Sequence, residues 1–367
     1  MSVNRMIKVG ITHGDINGIG YEVILKTLTD ARFVELCTPV VYGSAKVAAY
    51  HRKALEMEAV NFNIVTHASQ VIDGQNNLIN CIDEEVKVEI GHATDQVGAA
   101  AYAALERAVA DLSEGLIDVL VTAPINKHTM QSAEFDFPGH TEYLQARLGG
   151  EDEKALMIML NDSLRVALVT GHMPIAQVPA ALSQELILEK LHIFEHSLRH
   201  DFGVRKPRIA VLSLNPHAGE NGMLGDEENN IIIPAINEAK KKGMLCFGPY
   251  AADGFFGTEH FRKFDGVLAM YHDQGLSPFK ALAMENGVNY TAGLSFVRTS
   301  PDHGTAYDIA GKGIASEESF RQAIYTALDI YRNRISDDEA HASPLRRQYI
   351  DKSGDREVLD LTGGDDE

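Results

Sequence analysis

Short runs of apolar, β-branched residues alternate along the chain with longer stretches in which apolar positions return every three or four residues. The runs IKVGIT (7–12), TPVVYG (38–43), DVLVTAP (118–124), SLRVALVT (163–170), RIAVLSLNP (208–216) and FDGVLAMYHD (264–273) are apolar at nearly every position. That pattern predicts strands of a sheet covered on both faces. The stretches QVGAAAYAALERAVADL (96–112) and SQELILEKLHIFEHSLRH (183–200) predict the amphipathic helices that cover it. In DEENNIIIPAINEAKKK (226–242) the acids come first and the lysines last, which suits a helix dipole. Together these elements predict an α/β architecture. No fixed-period repeat is visible. The carboxyl-terminal residues lose the periodicity and end in glycine and acid, which predicts a poorly ordered or partner-packed acidic tail over 341–367.

At 367 residues the chain exceeds what one core usually organises, so two lobes around a cleft are expected. No uncharged apolar stretch reaches the roughly 18 residues of a membrane span, and the first residues lack the apolar segment of a signal peptide. A soluble, cytoplasmic protein is expected. Cys37, Cys81 and Cys246 stand far apart and in no metal or redox spacing, so they read as buried small apolar residues. The formal net charge of −19 argues against nucleic-acid or anionic-membrane partners. An anionic ligand would need a local cluster of donors.

Several strands run into polar loops bearing glycine or proline: THGDINGIG, TAPINK, TGHMP, NPHAGENG and YHDQG. Ligands of open α/β sheets bind beyond the carboxyl ends of strands, so the site is expected there. Of the fifteen histidines, His192, His196 and His200 repeat along one helix, and most others sit in polar company. His172, His217 and His272 differ, because each directly follows the apolar part of a strand. If one sheet or two facing protomers bring them together, three neutral imidazoles with open positions describe a catalytic divalent metal site. Glu220 and Asp273 could orient the rings. His140, in FPGHTEYL, precedes a predicted helix that Thr141 could cap, a setting suited to an anionic group. GDINGIGYE has glycines at 14, 18 and 20, which does not fit the dinucleotide spacing G-x-G-x-x-G and reads as a tight turn. SPDHGTAYDIAGKG (300–313) gathers a histidine, glycines and Asp308, whose carboxylate can accept from a ribose diol and would repel a 2′-phosphate; this favours NAD over NADP.

HGTAYDIAGKG resembles the adenosine loop of the isopropylmalate and isocitrate dehydrogenases, and GDINGIGYE resembles their opening motif. Within that superfamily, GDxxGIGxE, VTAPINK, PGHTEYL, TGHMP, NPHAGENG, YHDQGLSPFK and TSPDHGTAYDIAGKG together resemble the family of 4-hydroxythreonine-4-phosphate dehydrogenases of pyridoxine biosynthesis, over about residues 7–335. The resemblance implies a two-lobed isocitrate/isopropylmalate dehydrogenase-like fold of α/β/α sandwich lobes. Residues 1–135 plus 295–340 would form a cofactor-binding lobe, and 136–294 a metal, substrate and dimerisation lobe. It further implies a homodimer with shared active sites, NAD as cofactor, and one divalent metal (Zn, Mg or Co) on His172, His217 and His272. Substrate contacts carry over to His140, Thr141, Lys280, Asn289 and Arg298. Cofactor contacts carry over to Gly14, Asp15, Gly18, His303, Gly304, Ala306 and Asp308.

The implied reaction oxidises a phosphorylated hydroxy amino acid, 4-phosphohydroxy-L-threonine, to a 3-oxo acid that loses carbon dioxide. Asp253, Asp273 and Lys127 all remain open as the general base. A paralogue acting on 4-phosphothreonate, a metal-dependent hydrolase and a non-catalytic binding module are the rival readings. Where the family commonly reads TPGDPAGIGPE, this chain reads THGDINGIGYE, with His13, Ile16 and Tyr21 in place of prolines. Prolines pre-set a loop, so this turn is expected to be less rigid than the family's, though its glycines remain. The chain also carries extra residues around 50–95 and at the acidic end.

Overall fold

The computed structural model describes residues 5–342 apart from 58, 83–85, 132–134, 138 and 284. The tail beyond 342 lies outside them. The α/β expectation holds. Twelve strands are present among the described residues: β1 (Lys8–Thr12), β2 (Thr38–Gly43), β3 (Asn63–Val65), β4 (Asn77–Asn80), β5 (Val119–Thr122), β6 (Leu156–Leu160), β7 (Arg165–Leu168), β8 (Arg208–Leu212), β9 (Leu245–Tyr250), β10 (Gly266–Ala269), β11 (Val288–Ala292) and β12 (Arg298–Pro301). They form one sheet in the order β3-β4-β2-β1-β5-β12-β11-β6-β7-β10-β8-β9. Strands from 1–135 and 295–340 fill one side of it, and strands from 136–294 the other.

All pairings are parallel except three in succession, β12 with β11, β11 with β6, and β6 with β7. Across these three reversals the block β7-β10-β8-β9 comes to run opposite to β4-β2-β1-β5-β12. The carboxyl ends of β1 and β5 therefore do not share an edge with those of β7, β10 and β8. An active site that draws on both sets has to lie across the sheet face between them.

The near-continuous apolarity of the strands is explained by burial on two sides. On β5, Val119 and Val121 join the core beneath the helices Gly20–Leu28 and Glu318–Ala342, whereas Leu120 faces the helix Asp95–Ser113. The helix expected over 183–200 runs from Gln184 to His200, with the Ser183 side chain accepting from Leu186 N. No helix among the described residues is long and apolar enough to cross a membrane.

Candidate active site

A cavity of about 380 Å³ occupies that central face. Its floor follows strand alternation: Met157 and Met159 on β6, Asn289 on β11, and Arg298 and Ser300 on β12 all point into it. Its walls are Thr122–Ile125 and Lys127 after β5, Gly139–Glu142, the loop Asp302–Gly304 after β12, and His172, His272 and Lys280 from the far block.

Arg298 is only 3% exposed. Its Nη2 and Nε donate to Thr122 Oγ1 at 2.6 and 3.2 Å, and its Nη1 donates to Thr291 Oγ1 at 3.3 Å. These acceptors are neutral, and among the described residues no carboxylate is ion-paired with it. Burial lowers its pKa to about 10, which still leaves a full positive charge at neutral pH. A buried cation without an anion is costly to maintain unless a ligand supplies one. Around it, His140 Nε2, Asn289 Oδ1 and His303 Nε2 are buried with no hydrogen-bond partner among the described residues. Burial, then the positive charges of Arg298 and Lys127, hold His140 well below its ordinary pKa, so the ring is neutral. Lys280 lies 3.1 Å from Asp302 Oδ1, and burial raises the Asp302 pKa despite that lysine.

The far end of the cavity answers to the YHDQG turn. Beyond β7 and β10 the pairing continues, with Val169 N donating to Ala269 O and Thr170 Oγ1 to Met270 O. The two chains therefore leave the sheet side by side, and His172 and His272 meet with ring centroids 5.6 Å apart. Gln274 ties this turn to its neighbours, accepting from Met270 N and donating to Ser213 O. Asp273 Oδ1 is 2.7 Å from His272 Nδ1, and Glu142 Oε1 is 4.0 Å from His172 Nδ1. Burial, then Lys127, lowers the His172 pKa and favours its neutral form.

His217 is not brought to this pair. It is exposed, outside the cavity, in a loop whose residues from His217 to Asn221 all have positive φ, between 44° and 75°. The buried carboxylate of Glu228 holds that loop, accepting from Leu214 N and Asn215 N at 2.8 Å each and from Asn215 Nδ2 at 3.0 Å. Among the described residues of one chain, no group of three or more His, Cys, Asp or Glu side chains is placed to hold a metal ion.

Of the three candidate bases, only Lys127 lines the cavity; Asp253 and Asp273 are exposed outside it. The Asn126 side chain caps the short helix that begins at Lys127. Thr141 does not cap the helix His140–Leu148, whose N-cap is Gly139, and its hydroxyl instead lies 3.4 Å from Thr291 Oγ1. In the loop after β12, Gly304 lines the cavity, Ala306 takes a φ of 45°, and Asp308 is exposed. The residues Gly14, Asp15 and Gly18 sit behind the wall. A Cβ on Gly14 would lie 2.3 Å from Pro124 O, and one on Gly18 would lie 2.6 Å from Thr305 O. The buried Asp15 carboxylate accepts from Tyr307 OH and Asn17 N. The tight-turn reading of GDINGIGYE thus describes what its backbone does.

Glu142, Asp302, Thr122, Tyr307 and Glu228 were not singled out by the sequence. Glu142 and Asp302 are interior to the GHTEYL and SPDHG motifs, and that adjacency was the available signal.

The family described as "Pyridoxal phosphate biosynthetic protein PdxA" matches residues 35–327. A 4-hydroxythreonine-4-phosphate dehydrogenase of Bacteroides thetaiotaomicron is 60% identical over 98% of this chain and 99% of its own length. A protein of Oceanobacillus iheyensis, provisionally named D-threonate 4-phosphate dehydrogenase, is 39% identical over 88% of this chain and 97% of its own. The crystal structure of the 4-hydroxythreonine-4-phosphate dehydrogenase of Klebsiella pneumoniae superposes with a TM-score of 0.75 at 35% identity, covering 89% of this chain and 100% of that one. The chain belongs to the PdxA family of pyridoxal phosphate biosynthetic proteins, and like these members it is a dehydrogenase.

Proposed function

We propose that the chain oxidises 4-phosphohydroxy-L-threonine with NAD to 2-amino-3-oxo-4-phosphooxybutanoate, which then decarboxylates to 3-amino-2-oxopropyl phosphate. The observation that carries this reading is Arg298, a buried guanidinium with neutral partners in a cavity whose other orphaned atoms belong to His140, Asn289 and His303. A doubly anionic substrate supplies the charge that Arg298 lacks, and its ammonium and hydroxyl can donate to the orphaned Asn289 Oδ1. Its phosphate is assigned to the Arg298, His140, Thr141 and Asn289 end, with Lys280 released from Asp302 to join it.

The donor set fits a divalent metal in part. His172 and His272 are adjacent imidazoles that would hold it, and the third donor, His217, would come from a second copy of the chain. Met173 and Ile175, which follow His172, and Met223 and Leu224, which follow His217, are exposed apolar side chains; Ile175 is 72% and Met223 82% exposed. They favour a homodimer that completes each site. When bound, such a metal acidifies the substrate hydroxyl and stabilises negative charge on its oxygen.

The chain's own residues then have distinct tasks. Lys127, the candidate base that lines the cavity, faces the substrate hydroxyl and would have to give up its own proton before taking the substrate's. The loop from His303 to Asp308 would hold the dinucleotide, with Gly304 allowing close approach and the exposed Asp308 carboxylate available to accept from a ribose. A nicotinamide held there would supply the acceptor for the hydride that leaves the substrate carbon. The resulting carboxylate is β to a ketone, so carbon dioxide leaves readily.

The Oceanobacillus relative motivates a second substrate arm. The protein, with a divalent metal and NAD, is given 4-phosphohydroxy-L-threonine or 4-phosphothreonate while nicotinamide absorbance is followed. Faster reduction with the first is expected. Faster reduction with the second reassigns the substrate, and no reduction with either refutes the reading.

A further inference from the structure

The turn behind the cavity wall after β1 has no prolines to set it, yet His13 and Ile16 within it, and Tyr21 in the helix that follows, are each 0% exposed. Tyr21 lies between two imidazoles. Its ring is stacked on His13 at 5.5 Å with planes 22° apart, and on His51 at 5.1 Å with planes 17° apart. The Tyr21 hydroxyl accepts from Ser44 N at 3.0 Å and donates to Ser44 O at 3.3 Å. Ser44 is also the N-cap of the helix Ala45–Ala54 that carries His51. His51 Nε2 reaches back across the turn to Ile16 O at 2.8 Å. Gly43 leaves room for the stack: a Cβ there would lie 2.4 Å from the Tyr21 hydroxyl and 3.1 Å from the His13 ring.

On its other side the same turn supports two walls of the cavity. Asp15 N donates to Pro124 O at 2.8 Å and Ile19 N donates to Thr305 O at 3.0 Å. Pro124 lines the cavity, and Thr305 follows Gly304, which also lines it. We infer that His13, Tyr21 and His51 are positioning residues: their stack fixes the turn of residues 13–20, and through it the spacing between the Pro124 wall and the loop after β12. That this loop holds NAD rests on the proposed function; the placement of the turn does not.

Tyr21→Leu removes the central ring and both hydrogen bonds to Ser44, whereas Tyr21→Phe keeps the stack. Two readouts separate the possibilities. In hydrogen exchange, Tyr21→Leu should speed exchange at the amides of Asp15 and Ile19 at least about tenfold, a factor equivalent to about 1.4 kcal/mol of local opening, with Tyr21→Phe close to the parent. In steady-state assays, Tyr21→Leu should raise the KM for NAD by a similar factor with kcat little changed, and Tyr21→Phe should restore it. Unchanged exchange at both amides in a folded Tyr21→Leu protein overturns the inference, as does a loss of kcat alone. If the parent reduces no NAD, the dehydrogenation reading fails and the exchange data still decide the stack. Should Tyr21→Leu not fold, His51→Leu carries the same comparison.

Discussion

The aromatic stack has a thermodynamic consequence that acid exposes. Burial holds the pKa of His13 at about 4 and that of His51 at about 4, against about 6.5 for an unfolded histidine. Because the folded values are depressed, the unfolded chain takes up protons first as pH falls. The contribution to stability is whole above about pH 6.5 and is lost progressively down to about pH 4. Each ring changes the slope by about 1.36 kcal/mol per pH unit, so the 1.5 units from about pH 6.5 to about pH 5 cost about 2 kcal/mol per ring and about 4 kcal/mol for the two. That is a large part of the roughly 5–15 kcal/mol that holds a typical domain folded. His51→Gln removes one titrating ring while keeping a donor for Ile16 O. Equilibrium urea unfolding followed by circular dichroism, at about pH 7 and about pH 5, should show the parent losing about 2 kcal/mol more than the variant. Other groups do not confuse the comparison. The neighbouring Asp201 and Asp338 raise the His200 pKa, so its contribution is present below about pH 6.5 and lost above; it is common to both proteins. Asp201 is held at about 2, and its stabilising contribution is lost only as pH falls from about 4 towards that value. Equal losses in parent and variant would show that His51 is not a buried neutral ring, and the reasoning would fail.

Two further outcomes follow from buried charge. Arg298→Met should raise the KM for the phosphorylated substrate by about 10- to 100-fold, the worth of about 1.5–3 kcal/mol for hydrogen bonds to a charged group; because the ligand-free protein loses an unpaired buried cation, its melting temperature should not fall. A large drop in melting temperature with an unchanged KM would contradict the assignment. Arg334→Leu should destabilise by about 3 kcal/mol in urea unfolding, since it leaves the Asp201 carboxylate buried with a charge partner removed; Arg334 Nε now donates to Asp201 Oδ1 at 2.7 Å and its Nη2 to Tyr290 OH at 2.9 Å. A loss within about 0.5 kcal/mol, the usual range for surface changes, would show that this pair carries no stability.

The strands that the sequence made legible are those buried on both faces, such as Thr38–Gly43 and Val119–Thr122, because two-sided burial imposes continuous apolarity. The strands VNYTA and RTSP, which form the cavity floor, gave no such signal. Their polar members, Asn289 and Arg298, face a cavity that needs donors, so function suppresses the pattern by which strands are found. The opposite directions of the two parallel blocks were also hidden, since an apolar run carries no sign of which way its strand points. The proximity of His172 and His272 was legible because both follow strands directly. The separate position of His217 depends on a left-handed run from His217 to Asn221, four of whose five residues are not glycine and so do not advertise positive φ. Thr141 was misplaced for a local reason: a glycine already occupied the capping position.

The charge pattern follows the same separation of scales. The chain carries a net −19, yet its cavity is lined by Lys127, Lys280, Arg298 and four histidines against two carboxylates, Glu142 and Asp302. Beyond the screening length of about 8 Å at physiological ionic strength, the acidic surface has little hold on an approaching phosphate. Within that distance a ligand would meet groups whose desolvation has already been met by folding, with Lys280 paired to Asp302. A net negative composition therefore argues against a polyanionic partner such as nucleic acid without arguing against a small dianion. A long polyanion samples the whole surface, whereas a small phosphorylated acid samples one cavity.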